Sequence, residues 1–261
     1  MEAWEHFEYD CTSYLNGRYG DKASFIHQGS ANSNVADIRC ITNTGRIFYI
    51  EAKQCPAQCG QFVLMPNVTM RKFVYSSGNS LQLNEYSQSI IDHMNNDFDA
   101  YKDAGTSGKD IIFDGCNDVF INWVKRAYEK KKVEYFITNN YRIFKLSELA
   151  DNFIISAKYR VKRSGSKNVG DYRMIVVKQC ILSKYGISST RTDDGKLFVS
   201  TGREMNNIKF DCGDYEYMFS KRGSEYEIRQ LSNTFNANVI FSVSLKNPGT
   251  DISNRFSDEL T

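Results

Sequence analysis

The chain has 261 residues and a formal net charge of +2, with 41% of its residues hydrophobic and 13% aromatic. That excludes intrinsic disorder and leaves room for one large domain or two to three small ones. A mean hydropathy of −0.49, with no apolar stretch approaching about 18 residues, excludes a bilayer-spanning helix. The acidic start, Met1 to Asp10, lacks the basic flank of a secretory signal, so a cytoplasmic location without membrane contact is expected.

Trp4, Phe7, Cys11, Tyr14 and Leu15 recur at helical spacing and predict a first helix ending near Gly17. Val35 to Ile41 and Arg46 to Lys53 read as a β-hairpin around Thr42-Asn43-Thr44-Gly45. Helices are expected over Asn84 to Tyr101 and Asp118 to Lys131, with a Gly- and Asp-rich loop over 103–115 between them. Strands follow at Val133 to Thr138, Tyr141 to Leu146 and Phe153 to Lys162, then a helix at Tyr172 to Lys184. Five short strands complete the chain, near Lys196 to Ser200, Ile208 to Phe210, Tyr215 to Ser220, Tyr226 to Leu231 and Asn238 to Leu245. The layout is α+β. Soft boundaries near 150 and 190 divide it into 1–150, 151–190 and 191–261.

The charge is segregated. Residues 1–120 carry 9 Lys+Arg against 15 Asp+Glu, residues 121–190 carry 15 against 5, and residues 191–261 carry 9 against 11. A middle third of +10 predicts a polyanion-binding face, with a merely solvated basic surface as the alternative. Seven cysteines (Cys11, Cys40, Cys55, Cys59, Cys116, Cys180, Cys212) are odd in number and scattered, which suits reduced thiols. Cys55 and Cys59 lack the second ligand pair that a zinc site needs.

The hairpin carries the chemistry. A three-residue loop, Asn43-Thr44-Gly45, with Gly45 left-handed, sets Thr42 opposite Arg46 and makes every cross-strand pair sum to 88. Asp37 then faces Glu51, and Lys53 joins their side of the sheet while Ile50 and Ala52 point away. Two carboxylates this close oppose each other's ionisation unless a cation lies between them, and Mg2+ prefers such oxygen donors. A neighbouring ammonium suits an attack by water on a phosphodiester. A solvated salt bridge is the bland alternative, but the preceding Ile47-Phe48-Tyr49-Ile50 places these charges where burial without function is costly.

Ala36-Asp37 followed by Glu51-Ala52-Lys53 resembles the motif of the PD-(D/E)XK nucleases, with Ala36 at the proline position. Further segments resemble the HhaI type of restriction endonuclease: Phe48 to Lys53, Gln58 to Leu64, Tyr159-Arg160 with Ser164-Gly165-Ser166, and Leu231 to Ser242. The resemblance implies a PD-(D/E)XK core, a mixed β-sheet flanked by helices, followed by β-rich parts that recognise and bind DNA. It implies a monomeric type II restriction endonuclease that cuts double-stranded DNA at GCGC or a close relative. A cognate DNA methyltransferase would be its partner in a restriction-modification system. Asp37, Glu51 and the Ala52 carbonyl would hold Mg2+, and Lys53 would serve the attacking water. A structure-selective repair nuclease and a non-catalytic DNA-binding protein stand as alternatives.

Glu8 on the first helix is a supporting candidate near the metal, and Gln61 could hydrogen-bond Lys53 or a phosphate, as could Gln58. The three histidines have no partner spacing and are assigned to structure or surface. For DNA, Lys158, Arg160, Lys162, Arg163 and Lys167 flank the polar turn Ser164-Gly165-Ser166, and such donors read guanine O6 and N7 or clamp phosphates. Asn233, Asn236 and Asn238 offer amides before a strand, as base contacts or as turn builders.

Overall fold

The structure is a computed structural model that describes residues 3–28, 35–246 and 252–261. In chain order the first half contains α1 (Ala3–Tyr19), β1 (Ala23–His27), β2 (Ile38–Thr42), β3 (Ile47–Lys53), β4 (Ala57–Asn67), β5 (Lys72–Tyr75), α2 (Glu85–Asn96), α3 (Phe98–Lys102), β6 (Lys109–Asp110) and α4 (Cys116–Lys130). It continues with β7 (Val133–Thr138), β8 (Ile143–Lys145), α5 (Leu149–Asn152), β9 (Phe153–Arg163), β10 (Ser166–Asn168) and α6 (Asp171–Tyr185). The last strands are β11 (Thr190–Asp193), β12 (Lys196–Val199), β13 (Lys209–Cys212), β14 (Tyr215–Arg222), β15 (Glu225–Leu231) and β16 (Phe235–Leu245). The chain is mixed α+β, and no helix among the described residues is long and apolar enough to cross a membrane.

Two compact units result: Met1–Arg160 with Ala237–Thr261, and Val161–Asn236. This division differs from the expected breaks near 150 and 190, because β16 returns to pair with β4 and carries the C-terminal residues back to the first unit. Sequence order alone is silent on such a return.

The first unit holds two sheets. One has the order β1-β2-β3-β7-β8, with β3 and β7 parallel. Strand alternation sends Ile38, Cys40, Phe48, Ile50 and Ala52 into one core with Cys11, Leu15 and Tyr19 of α1 and with Phe256 and Leu260 from the C-terminus. The other sheet runs β5-β4-β16-β9-β6. Its aromatic core stacks Trp123 on Phe241 at 4.3 Å and sets Phe62 5.5 Å from Trp123.

The second unit is a sheet ordered β11-β12-β15-β14-β13, with β10 also on β15. Met174, Val177 and Ile181 of α6 share a core with Leu197, Val199, Tyr217, Phe219 and Ile228. Against the expectation of seven reduced thiols, Cys180 on α6 and Cys212 on β13 form a disulfide with a Cα separation of 6.2 Å. Helix packing brings together two positions 32 residues apart, a proximity that scattered spacing does not reveal.

Two local expectations change, and one unassigned segment becomes defined. Helix α1 runs past Gly17 to Tyr19, where Gly20 N still reaches Asn16 O. The expected helix over 84–101 breaks at Asp97, whose φ of −125° and ψ of 49° are not helical. The segment after the hairpin, to which the sequence assigns no element, is the long strand β4, held by the remote β16.

Candidate active site

The hairpin register pairs Ile38 with Ile50, Arg39 with Tyr49, Cys40 with Phe48 and Ile41 with Ile47, each pair summing to 88. Thr42 N donates to Arg46 O, and Gly45, at φ 85°, donates to Thr42 O and closes the three-residue loop. Asp37 lies one position beyond the Ile38–Ile50 pair and so comes level with Glu51. Its Oδ2 accepts the main-chain N–H of Ala52 at 2.9 Å. Lys53 Nζ lies 2.7 Å from Glu51 Oε1 and 3.7 Å from Asp37 Oδ2.

The group is largely withdrawn from water, with Glu51 3% and Asp37 9% exposed. Burial, together with the charge of Glu51, pushes the Asp37 carboxyl up to about 7, against the attraction of Lys53. Burial works to lower the Lys53 ammonium, but the carboxylates of Glu51 and Asp37 outweigh it and hold Lys53 protonated above the usual lysine range. Glu51 Oε2 is buried and meets no hydrogen-bond donor. Two crowded carboxylates with one unmatched oxygen fit a hard divalent cation. Among the described residues no three His, Cys, Asp or Glu side chains gather as a metal site, so main-chain carbonyls or water would complete the donor set.

These groups face a cleft of about 820 Å³. Strand β4 supplies Gln58 and Gln61 to its wall, and Gln58 Nε2 donates to Gln61 Oε1 at 3.2 Å. Helix α4 supplies Tyr128 and Lys130, followed by Lys131, which stands 5.3 Å from the Tyr128 ring centroid. Burial and the charge of Glu51 push the Tyr128 phenol well up, keeping it a neutral donor. Glu8 on α1 is buried and meets His27 Nε2 at 3.0 Å, and its charge adds to the upward pressure on Asp37. Tyr128 and His27 escaped the sequence reading. Tyr128 sits among apolar helix positions with no motif, and His27 has no local partner because Glu8 lies 19 residues away.

The expected DNA-contacting residues fall in both units. Lys158, Arg160 and Asn238 belong to the first; Lys162, Arg163, Ser164, Ser166, Lys167, Asn233 and Asn236 belong to the second. Lys158 meets Asp110 at 3.5 Å, and Arg163 pairs with Glu216 while lying 5.5 Å from the Phe235 ring centroid. Ser164, Ser166, Lys167 and Asn233 line one pocket. Asn236 and Asn238 are not before a strand but inside β16, which starts at Phe235 and places Asn238 opposite Val63.

No protein-family model and no curated protein matches the chain. Among solved structures it matches an endonuclease. That structure is HhaI endonuclease in complex with DNA, 38% identical over 94% of this chain and 92% of that one, with a TM-score of 0.68. The chain belongs to the HhaI endonuclease family. The resemblance to the HhaI type of endonuclease, read from segments such as Gln58 to Leu64 and Leu231 to Ser242, is borne out.

Proposed function

We propose that the chain is a type II restriction endonuclease of the PD-(D/E)XK kind, hydrolysing double-stranded DNA at a short G+C site, GCGC, with Mg2+. The observation that carries this is the Lys53 ammonium in reach of both Glu51 and Asp37, in a chain related to a DNA-bound endonuclease.

Asp37, Glu51 and the Ala52 carbonyl would hold the cation. When bound, Mg2+ polarises the phosphate and makes water more acidic. Lys53, kept protonated by its two neighbours, donates a hydrogen bond to the attacking water and stabilises charge on the phosphate in the transition state. The Asp37–Ala52 hydrogen bond holds the carboxylate at its position across the hairpin. Tyr128 offers a hydroxyl on the Glu51 side, and Glu8, anchored by His27, supports the acidic side of the site. Gln61 and Lys130 line the cleft and suit phosphate contacts.

Lys158, Arg160, Lys162, Arg163 and Lys167 would bind the duplex, with Ser164, Ser166, Asn233, Asn236 and Asn238 as polar contacts. The enzyme would act as a cytoplasmic monomer beside a methyltransferase that protects the host site. Digestion of a mapped plasmid with Mg2+, followed by end sequencing, tests this reading. Discrete cuts at GCGC are expected. Cleavage only at junctions or mismatches, or tight binding without product, would overturn it.

A further inference from the structure

A second pocket lies wholly within the second unit. It measures about 350 Å³, and Ser164, Ser166, Lys167, Gln230, Ser232 and Asn233 contribute to a lining without any acidic side chain. Its serine hydroxyls are matched to one another, to a main-chain carbonyl or to arginine. Ser164 Oγ lies 2.9 Å from Ser232 Oγ and donates to Thr234 O at 3.1 Å, and Ser166 Oγ accepts from Arg229 Nε at 3.2 Å. Gln230 differs from them. It is 2% exposed, and its Oε1 meets no hydrogen-bond donor.

Buried carboxamide oxygens are nearly always paired, so an unmatched acceptor lining a pocket calls for a donor, which a bound molecule can supply. The register defines its neighbours: Gln230 stands opposite Lys167 of β10 on one side and Tyr217 of β14 on the other. Directly opposed residues share a face. The acceptor and Lys167 therefore stand on the same side of the sheet, while Tyr217, on the other flank of Gln230, is fully buried with its hydroxyl also unmatched. An acceptor next to a cationic donor complements the major-groove edge of a G·C pair, where cytosine N4 donates and guanine O6 and N7 accept.

We propose that Gln230 is a specificity-determining residue whose Oε1 accepts a hydrogen bond from the exocyclic amine of cytosine, with Lys167 donating to the paired guanine. The inference rests on the endonuclease reading above and names one of the contacts by which that enzyme selects its site.

The test uses duplexes carrying the mapped site, with cytosines replaced one at a time by 2-pyrimidinone, which lacks only the N4 amine. The wild-type chain should cut one such duplex about ten- to a hundredfold more slowly in kcat/KM than the natural one. Gln230→Leu should cut the natural and that substituted duplex at equal rates, whereas Gln230→Glu, which retains an acceptor, should keep the difference. If Gln230→Leu melts below the wild type, Gln230→Met, closer in shape, carries the same comparison. The inference is overturned, with the endonuclease reading intact, if site-specific cleavage is indifferent to every amine deletion or if Gln230→Leu and Gln230→Met discriminate as the wild type does. Absence of site-specific cutting by the wild type overturns the endonuclease reading and this inference with it.

Discussion

Ala52 gives its main-chain N–H to Asp37 Oδ2 at 2.9 Å, across the two strands of one hairpin. A carboxylate is thereby tied to the backbone between Glu51 and Lys53, so the geometry of the site follows from the hairpin register. Because side chains alternate, a slip of one residue would send Glu51 and Lys53 to the α1 core and bring Ala52 to the cleft.

Replacement of Asp37 or Lys53 by Ala should therefore remove cleavage while sparing binding. A fall of about 10³-fold or more in plasmid cleavage rate is expected, taking removal of a preorganised electrostatic group as the scale. Duplex affinity by gel shift in EDTA should change by no more than a few-fold. Wild-type cutting rates in either variant would show that the site lies elsewhere.

The raised pKa of Asp37 predicts a pH-dependent stability. A carboxyl held at about 7 in the folded chain against 3.8 unfolded binds its proton more tightly when folded. Its contribution is fully present below pH 3.8 and is lost as pH rises through 7, a change of at most about 4 kcal/mol. Denaturant midpoints without metal should thus decline between pH 4 and 8 more steeply for the wild type than for Asp37→Asn. Millimolar Mg2+ should restore the wild type at pH 8, since a ligand of the folded state stabilises it. Parallel pH profiles for the two proteins would contradict the assignment.

Gly60 on β4 has a packing role beside the cleft. A Cβ there would come 2.8 Å from Cζ3 of Trp123, which is buried and stacked on Phe241. Gly60→Ala should lower unfolding free energy by about 1–3 kcal/mol, the usual cost of overpacking, read from thermal or urea melts. An unchanged melting curve would mean that Trp123 moves freely, against its close packing.

Salt titration tests the basic residues individually. Lys167→Ala should relax selectivity at one G·C pair, which competition with mutated duplexes measures. A salt slope lessened by about 0.9 with selectivity unchanged would put Lys167 on a phosphate and contradict the guanine contact. A variant that changes neither quantity would remove Lys167 from the interface.

Local chemistry made the hairpin legible. Gly45 favours the positive φ of a three-residue loop, the loop sets the 88-sum register, and alternation then brings Glu51 and Lys53 to the side of Asp37. Helices α4 and α6 were visible for a similar reason, since their apolar spacing reports a buried stripe within 15 residues. The cleft wall was not visible. Strand β4 depends on β16, which starts some 170 residues later, and nothing within Gln58 to Leu64 reports that pairing. The same holds for the Glu8–His27 contact, the Cys180–Cys212 disulfide and the division into units.

What the sequence determined by itself was the clustering of Asp37, Glu51 and Lys53 and the mixed α+β class, because both arise from short-range rules of loop geometry and side-chain period. Only the tertiary structure decided the cleft around the trio, the raised pKa of Asp37 and the unmatched amide of Gln230. Those depend on burial and on remote strand pairing, which come into existence only when distant segments exclude water together.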